Sequence, residues 1–238
     1  MRISTWSGPR NISTALMYSF AQRSDTEVVD EPIYAHYLST TNADNYHPGA
    51  AETLATQDNN IENVIRDVVL GPHEQPVIFF KNMTHHLVNM DWSFMDRLCN
   101  ILLTRDPREV LLSYTKNVKQ PILRDTGYAE QAQLLNYLRE IGQEPPVLDA
   151  KAFLLNPRGV LTQLCDRINL PFEEAMLSWS PGARVEDGAW AKYWYANVHQ
   201  STGFQPYRPK EEALPAHLEP LLEECLPYYE RMSALAIR

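Results

Sequence analysis

The stretch Thr5-Trp6-Ser7-Gly8-Pro9-Arg10-Asn11-Ile12-Ser13-Thr14-Ala15-Leu16 joins an apolar run, a Gly-Pro turn, a cation, and two hydroxyls that open a helical pattern. That order predicts a buried strand over Arg2–Trp6 leading through a turn into a helix over Ser13–Arg23. A helix start presents backbone N–H groups without intrahelical partners and the positive end of the helix dipole, which suits phosphate or sulfate. Arg10 would add charge-assisted bonds to such an anion. The plainer reading is local: Asn11 or Ser13 caps the helix and Arg10 is a solvated turn residue. No Lys directly precedes the Ser13-Thr14 pair, so the Walker A lysine that reaches β- and γ-phosphates is absent. Nucleoside triphosphate hydrolysis is therefore disfavoured.

Working outward, Glu27–Asp30, Val77–Lys81, Asn100–Thr104 and, more weakly, Val147–Ala150 have the composition of strands buried on both faces of a parallel sheet. Helical patterns separate them at Ile61–Leu70, Arg108–Asn117, Glu130–Ile141 and Arg158–Ile168. This alternation implies right-handed crossovers and an open, layered α/β fold. Two segments break the rhythm. Thr40–Asn60 is rich in Asn, Asp, Ala and Thr and reads either as a lid over a substrate or as a plain surface loop. After Pro171 the chain turns rich in Trp, Tyr and Pro, then shows a last helical pattern from about Pro215 to Ala236.

At 238 residues, 44% of them hydrophobic, the chain can bury a sizeable core, and a single domain over residues 1–238 is expected. Thirty acidic against 21 basic residues, a net charge of -9, argue against a nucleic-acid partner and require any anionic ligand to find cations gathered locally. Cys99, Cys165 and Cys225 lack metal or redox spacing, so reduced structural thiols and no metal site are expected. No run approaches the ~20 apolar residues that span a bilayer, and no secretory pattern opens the chain. The expectation is a cytoplasmic protein without a membrane partner.

The opening motif resembles the 5'-phosphosulfate loop of sulfotransferases, which also follows the first strand. The likeness sharpens in Ile101-Leu102-Leu103-Thr104-Arg105-Asp106-Pro107-Arg108-Glu109-Val110-Leu111-Leu112-Ser113-Tyr114. The family binds the donor's 3'-phosphate with an Arg at a strand end and a Ser eight residues on, the spacing of Arg105 and Ser113. Arg105 would leave the strand tip while Ser113, about two turns into the next helix, faces back over the same crevice. The plain alternative makes Arg105 and Asp106 a surface ion pair and Ser113 a packing residue. The resemblance spans roughly residues 1–172. It implies a three-layer, P-loop-type α/β fold with a central parallel sheet of about five strands. It also implies 3'-phosphoadenosine 5'-phosphosulfate (PAPS) as co-substrate and no metal. Arg10, Asn11, Ile12, Ser13, Thr14 and Ala15 would then hold the 5' end of the donor, and Arg105 and Ser113 its 3'-phosphate. The family's C-terminal Gly-x-x-Gly-x-x-Lys stretch is missing, and Ser201 and Gly203, in His199–Phe204, are candidates for its donor-covering role. A Gly turn is the bland alternative.

Sulfuryl transfer asks for in-line positioning, charge stabilisation and a base for the acceptor hydroxyl. Glu31, in Val29-Asp30-Glu31-Pro32 at the end of the second strand, is one candidate base, similar in place to a Glu of carbohydrate sulfotransferases. The alternative is that Asp30 or Glu31 caps a helix begun by Pro32. Lys81 lies 24 residues before Arg105, matching the family's strand-end Lys, and would stabilise charge on the leaving phosphate oxygen together with Arg10. The family's base His two residues later is here Met83, which moves the role to Glu31, with His85 or His86 as fallback. Two other readings remain open: a non-catalytic nucleotide-binding protein that has lost its base, and a P-loop phosphotransferase. On the acceptor side, Thr40–Asn60 and the aromatic stretch Trp190–Phe204 are expected to carry specificity for a small neutral or weakly polar molecule, the alternative being that Trp190, Trp194 and Tyr195 simply pack the C-terminal helix on the core. A long polyanion would need a basic groove that Arg184 and Lys192 alone do not supply.

Overall fold

The computed structural model describes residues 1–238 and contains one parallel sheet of β1 (Arg2–Ser7), β2 (Thr26–Asp30), β3 (Val77–Met83), β4 (Cys99–Thr104), β5 (Val147–Asp149) and β6 (Ala236–Ile237). Their order is β2-β3-β1-β4-β5-β6. The sheet thus has one strand more than the sequence suggested. Ala236–Ile237 pairs with Val147–Leu148 at the edge, where the sequence read the end of a helix. Two residues are too few for any periodic signal, and only the open edge of β5 makes them a strand.

The connections are helical. α1 (Ser13–Phe20) leads to α2 (Tyr34–Thr40), α3 (Ala50–Thr56) and α4 (Ile61–Asn63), the last running on into a π-helical stretch at Val64–Val69. Between β4 and β5 lie α5 (Pro107–Tyr114), α6 (Leu123–Thr126) and α7 (Tyr128–Glu140). After β5 come α8 (Ala150–Leu155), α9 (Pro157–Arg167), α10 (Ala191–Trp194), α11 (Ala196–His199) and α12 (Glu219–Ser233). α5 begins as its sequence dictates: Asp106 accepts hydrogen bonds from the Arg108 and Glu109 amides, and Pro107 occupies the first turn. No helix is long and apolar enough to cross a membrane.

Period-two alternation divides the strands between two apolar layers. Ile3, Phe79, Ile101 and Leu103 face α1, α8 and α9 through Leu16, Phe153 and Leu161. Trp6, Leu102 and Val147 face α7 and α12 through Leu134, Leu138 and Met232. Polar strand residues in the second layer pair among themselves: the Trp6 indole donates to Asn100 at 2.9 Å and Asn82 to Ser4 at 3.0 Å. Both layers leave the carboxyl ends of β1, β2, β3 and β4 to meet at one rim.

The Thr40–Asn60 segment is neither a bare lid nor a plain loop. It holds a 3-10 turn at Ala43–Asn45 and α3, and it closes a third apolar cluster in which Tyr34, Tyr37, Ala43 and Ala50 pack with Trp190 and Tyr195. The aromatic stretch therefore packs against this segment, not against α12.

Candidate functional site

β1 ends at Ser7, and the chain turns through Gly8-Pro9-Arg10 into α1. Gly8 is required there, since a Cβ would lie 2.4 Å from the carbonyl oxygen of Thr126. Arg10 adopts φ 55°, in the left-handed region that non-glycine residues enter at a cost of about 1 kcal/mol or more. No side chain caps α1. Asn11 instead bonds the Ile12 amide at 2.9 Å and the Leu103 carbonyl at 3.1 Å, so it ties the turn to β4. The first-turn amides of α1 are left facing the rim.

Arg10 reaches across the rim to the hydroxyl of Ser113 at 2.9 Å and to the carbonyl of Trp194 at 3.2 Å. Arg105 donates to the Arg10 carbonyl at 2.9 Å and bonds Glu109 Oε2 through two nitrogens at 3.0 and 2.8 Å. Its ion partner is thus Glu109, one helical turn along α5, rather than Asp106, which caps that helix. Lys210 joins this cation group. Its ammonium donates to the Glu109 carbonyl at 2.5 Å, while Arg108 holds the Lys210 carbonyl at 2.9 Å. Burial, with the nearby charge of Arg105, lowers the Lys210 pKa to about 8. Tyr207 donates to Glu109 Oε1 at 2.7 Å and completes a strap over the end of β4.

At β2 the second left-handed residue is Glu31, with φ 43°. Neither Asp30 nor Glu31 caps α2, which has no side-chain cap. Both carboxylates turn to Lys81, which is 1% exposed; its ammonium donates to Asp30 at 2.8 Å, to the Tyr195 hydroxyl at 2.6 Å, and to Glu31. Tyr195 in turn donates to Asp30 at 2.7 Å. Burial, with the charge of Asp30 adding and Lys81 opposing, pushes the Glu31 pKa up to about 7. Burial alone would lower the Lys81 pKa, but the two carboxylates outweigh it and the ammonium is retained. Glu31 Oε2 stands 3.9 Å from His86 Nε2, too far for a hydrogen bond.

One crevice of about 480 Å³ brings together Arg10, Asn11, Ile12, Ser13, Thr14, Ala15, Glu31, Lys81, His85, Arg105, Ser113, Ser201 and Gly203. Every residue proposed from the sequence lies in its wall. Ser201 has its hydroxyl engaged, accepting from Trp179 at 3.1 Å and donating to Val198 at 2.7 Å. Gly203 lies where a Cβ would sit 2.8 Å from the Leu177 carbonyl oxygen, beside its bridge to Ser178. Met83 also lines the crevice. Sequence reasoning missed Lys210, Tyr207 and the tie of Tyr195 to Lys81. A basic residue in a Pro-rich tail carries no local signal, and Tyr195 lies 114 residues from its partner.

A family model described as "Sulfotransferase domain" matches residues 1–236. The branched-chain-amino-acid aminotransferase-like proteins 1 and 2 of Arabidopsis thaliana are 39% and 36% identical to this chain over 228 residues. That alignment covers 95% of the chain and 40% of each relative, so the chain spans about 40% of the length of these curated relatives. Among solved structures, the sulfotransferase domain from the curacin biosynthetic pathway aligns with a TM-score of 0.55 at 18% identity, covering 97% of this chain and 96% of that one. A sulfotransferase from Alicyclobacillus acidocaldarius aligns with a TM-score of 0.55 at 11% identity over 99% and 95% of the two chains. The likeness to these structures is one of fold.

Proposed function

Because the chain belongs to the sulfotransferase domain family, we propose that it moves a sulfuryl group from PAPS to a hydroxyl or amine of a small acceptor. The observation that carries this reading is the shared crevice. It joins a cation group built on Arg10, Arg105 and Lys210 to a buried carboxylate–ammonium pair, Glu31 and Lys81, at the carboxyl ends of adjacent strands. The uncapped start of α1 and Arg10 fit a 5'-phosphosulfate. Arg105, Ser113 and Lys210 fit a 3'-phosphate, with Glu109 holding Arg105 in place until that anion arrives.

In the reaction the acceptor oxygen or nitrogen forms a bond to sulfur as the bond from sulfur to the donor's phosphate oxygen breaks. Glu31 takes the proton that the acceptor loses, and the positive charges of Lys81 and Arg10 stabilise the negative charge growing on the leaving oxygen. The loss of a base at Met83 does not leave the crevice without a proton acceptor, because Glu31 stands beside Lys81, one residue past the end of the neighbouring strand.

The direct test is calorimetry with 3',5'-bisphosphoadenosine (PAP) against 5'-AMP. A lost charge-assisted pair costs about 1.5–3 kcal/mol, so PAP is expected to bind at least ~10-fold more tightly. Equal affinities would remove the donor assignment. Lys210 adds a pH signature. Its folded pKa of about 8 means that its charge fades as pH rises through that value, so PAP affinity should fall between about pH 7 and 9. A Lys210→Met variant should bind more weakly at pH 7 and lose that slope, and an unchanged slope would place Lys210 outside the donor site.

A further inference from the structure

The end of the crevice beyond Glu31 has a different chemistry from the cation group. Tyr34, His47, His85, His86, Tyr114 and Trp190 wall it, all of them buried. The His86 ring stacks on Tyr34 with centroids 4.6 Å apart and lies 4.8 Å from the ring of Tyr37, and His85 meets His86 edge-on at 4.5 Å. Tyr34 fixes one nitrogen of His47 at 2.9 Å. Four polar atoms here are nevertheless buried without a partner: His47 Nε2, His85 Nδ1, His86 Nδ1 and the Tyr114 hydroxyl. Leaving a buried polar group unpaired is costly, and four such atoms in one wall of the crevice call for a partner that completes them.

We propose that this end of the crevice takes the acceptor as a compact, uncharged, polyhydroxylated ring of the cyclitol or monosaccharide class. Its hydroxyls would bond the imidazoles of His47, His85 and His86 and the hydroxyl of Tyr114, and its ring face would pack on Tyr34 and Trp190. The proposal rests on the sulfotransferase reading above. A hydroxyl fits here, because a neutral imidazole presents one donor and one acceptor and a hydroxyl can answer either. Burial lowers the pKa of all three imidazoles, which keeps them neutral. An anionic acceptor finds Lys81 already shared by Asp30, Glu31 and Tyr195. A buried ammonium needs a carboxylate of its own, and here Asp30 and Glu31 are held by Lys81 while Asp125 accepts from Tyr46 at 2.9 Å. An alkyl alcohol would leave the imidazoles unpaired. A single hydroxyl oxygen beside both Glu31 Oε2 and His86 Nε2 can reach each at ~2.8 Å across their separation of 3.9 Å, which sets it at the proposed base.

The test measures PAP release from PAPS by the full chain with myo-inositol, D-glucose, D-glucosamine, D-glucuronate and 1-hexanol, beside calorimetric binding of the two uncharged polyols to PAP-loaded protein. At least one of myo-inositol and D-glucose is expected to exceed the amine, the acid and hexanol by ~100-fold in kcat/KM. A His85→Phe variant should raise its KM by roughly tenfold, the loss of one well-placed hydrogen bond, with PAP affinity unchanged. Because PAP affinity reports on folding of the crevice, a variant that keeps PAP and keeps KM overturns the proposal. So does faster transfer to hexanol, glucosamine or glucuronate, or a failure of both polyols to be bound or sulfated while PAP binds. If PAP itself does not bind, the sulfotransferase reading fails first and the acceptor assignment falls with it.

Discussion

Replacing Glu31 by Gln is expected to lower turnover ~100-fold or more, the usual scale for loss of a general base, while PAP binds within about twofold of the parent. The side chain keeps its shape and loses only its ability to take a proton. The parent should show turnover rising with pH through about 7, because the carboxyl, raised from 4.5 by burial, must ionise to act. The variant should lack that limb. Stability moves in the opposite sense. The folded state favours protonated Glu31, so this group's contribution is fully present below about pH 4.5 and is lost as pH rises through about 7. Removing the carboxylate should therefore help Tm more at pH 8 than at pH 5. Single-turnover rates and thermal melts at both pH values check the two effects. Unchanged turnover would transfer the proton acceptor to His85 or His86.

Lys81→Met should produce the largest loss of stability of any single change at the rim. Lys81 and Asp30 are each 1% exposed at the side chain, and the substitution leaves two carboxylates in a dry site with only the hydroxyl of Tyr195 and the Gly188 amide between them. Breaking a buried pair by removing one partner costs about 3–5 kcal/mol. For a chain of this size that corresponds to a fall in Tm of roughly 6–20 °C. Neutralising both carboxylates in the same protein, with Asp30→Asn and Glu31→Gln, should recover most of the loss, because the penalty belongs to the uncompensated charge. Scanning calorimetry on the single and triple variants decides this. A drop of under ~2 °C in the single variant would mean that water reaches the pair and that Lys81 is a surface charge.

Much of the crevice was legible in the chain because its parts obey local rules. Arg105 and Ser113 are separated by a strand end and about two helical turns, a distance set by backbone geometry whatever surrounds it. The turn after β1 is punctuated by Gly8 and Pro9, whose φ preferences end a strand anywhere. What was ambiguous was the choice between a cap and a site. Asn11, Ser13 and Asp30 are good cap residues by type and Glu31 is favoured near a helix start by its charge, and whether their side chains turn back to a helix or out to a partner depends on what stands opposite. For Glu31 that partner is Lys81, 50 residues away in sequence.

The sequence by itself determined five of the strands, the helices α1, α5, α7 and α9 and the cations at the strand ends, since burial on both faces and helical periodicity are written within a few residues of each position. Tertiary structure alone decided the rest. β6 exists because β5 offers an unpaired edge. The Thr40–Asn60 segment became a wall because its apolar residues could be buried only against Trp190 and Tyr195. His47 and Tyr195 reached the crevice by that packing, and Lys210 by the strap that Arg108 holds. The physical reason is common to all of them. Periodicity says which side of an element is buried, but which distant residue buries it is settled only when the whole chain closes on its core.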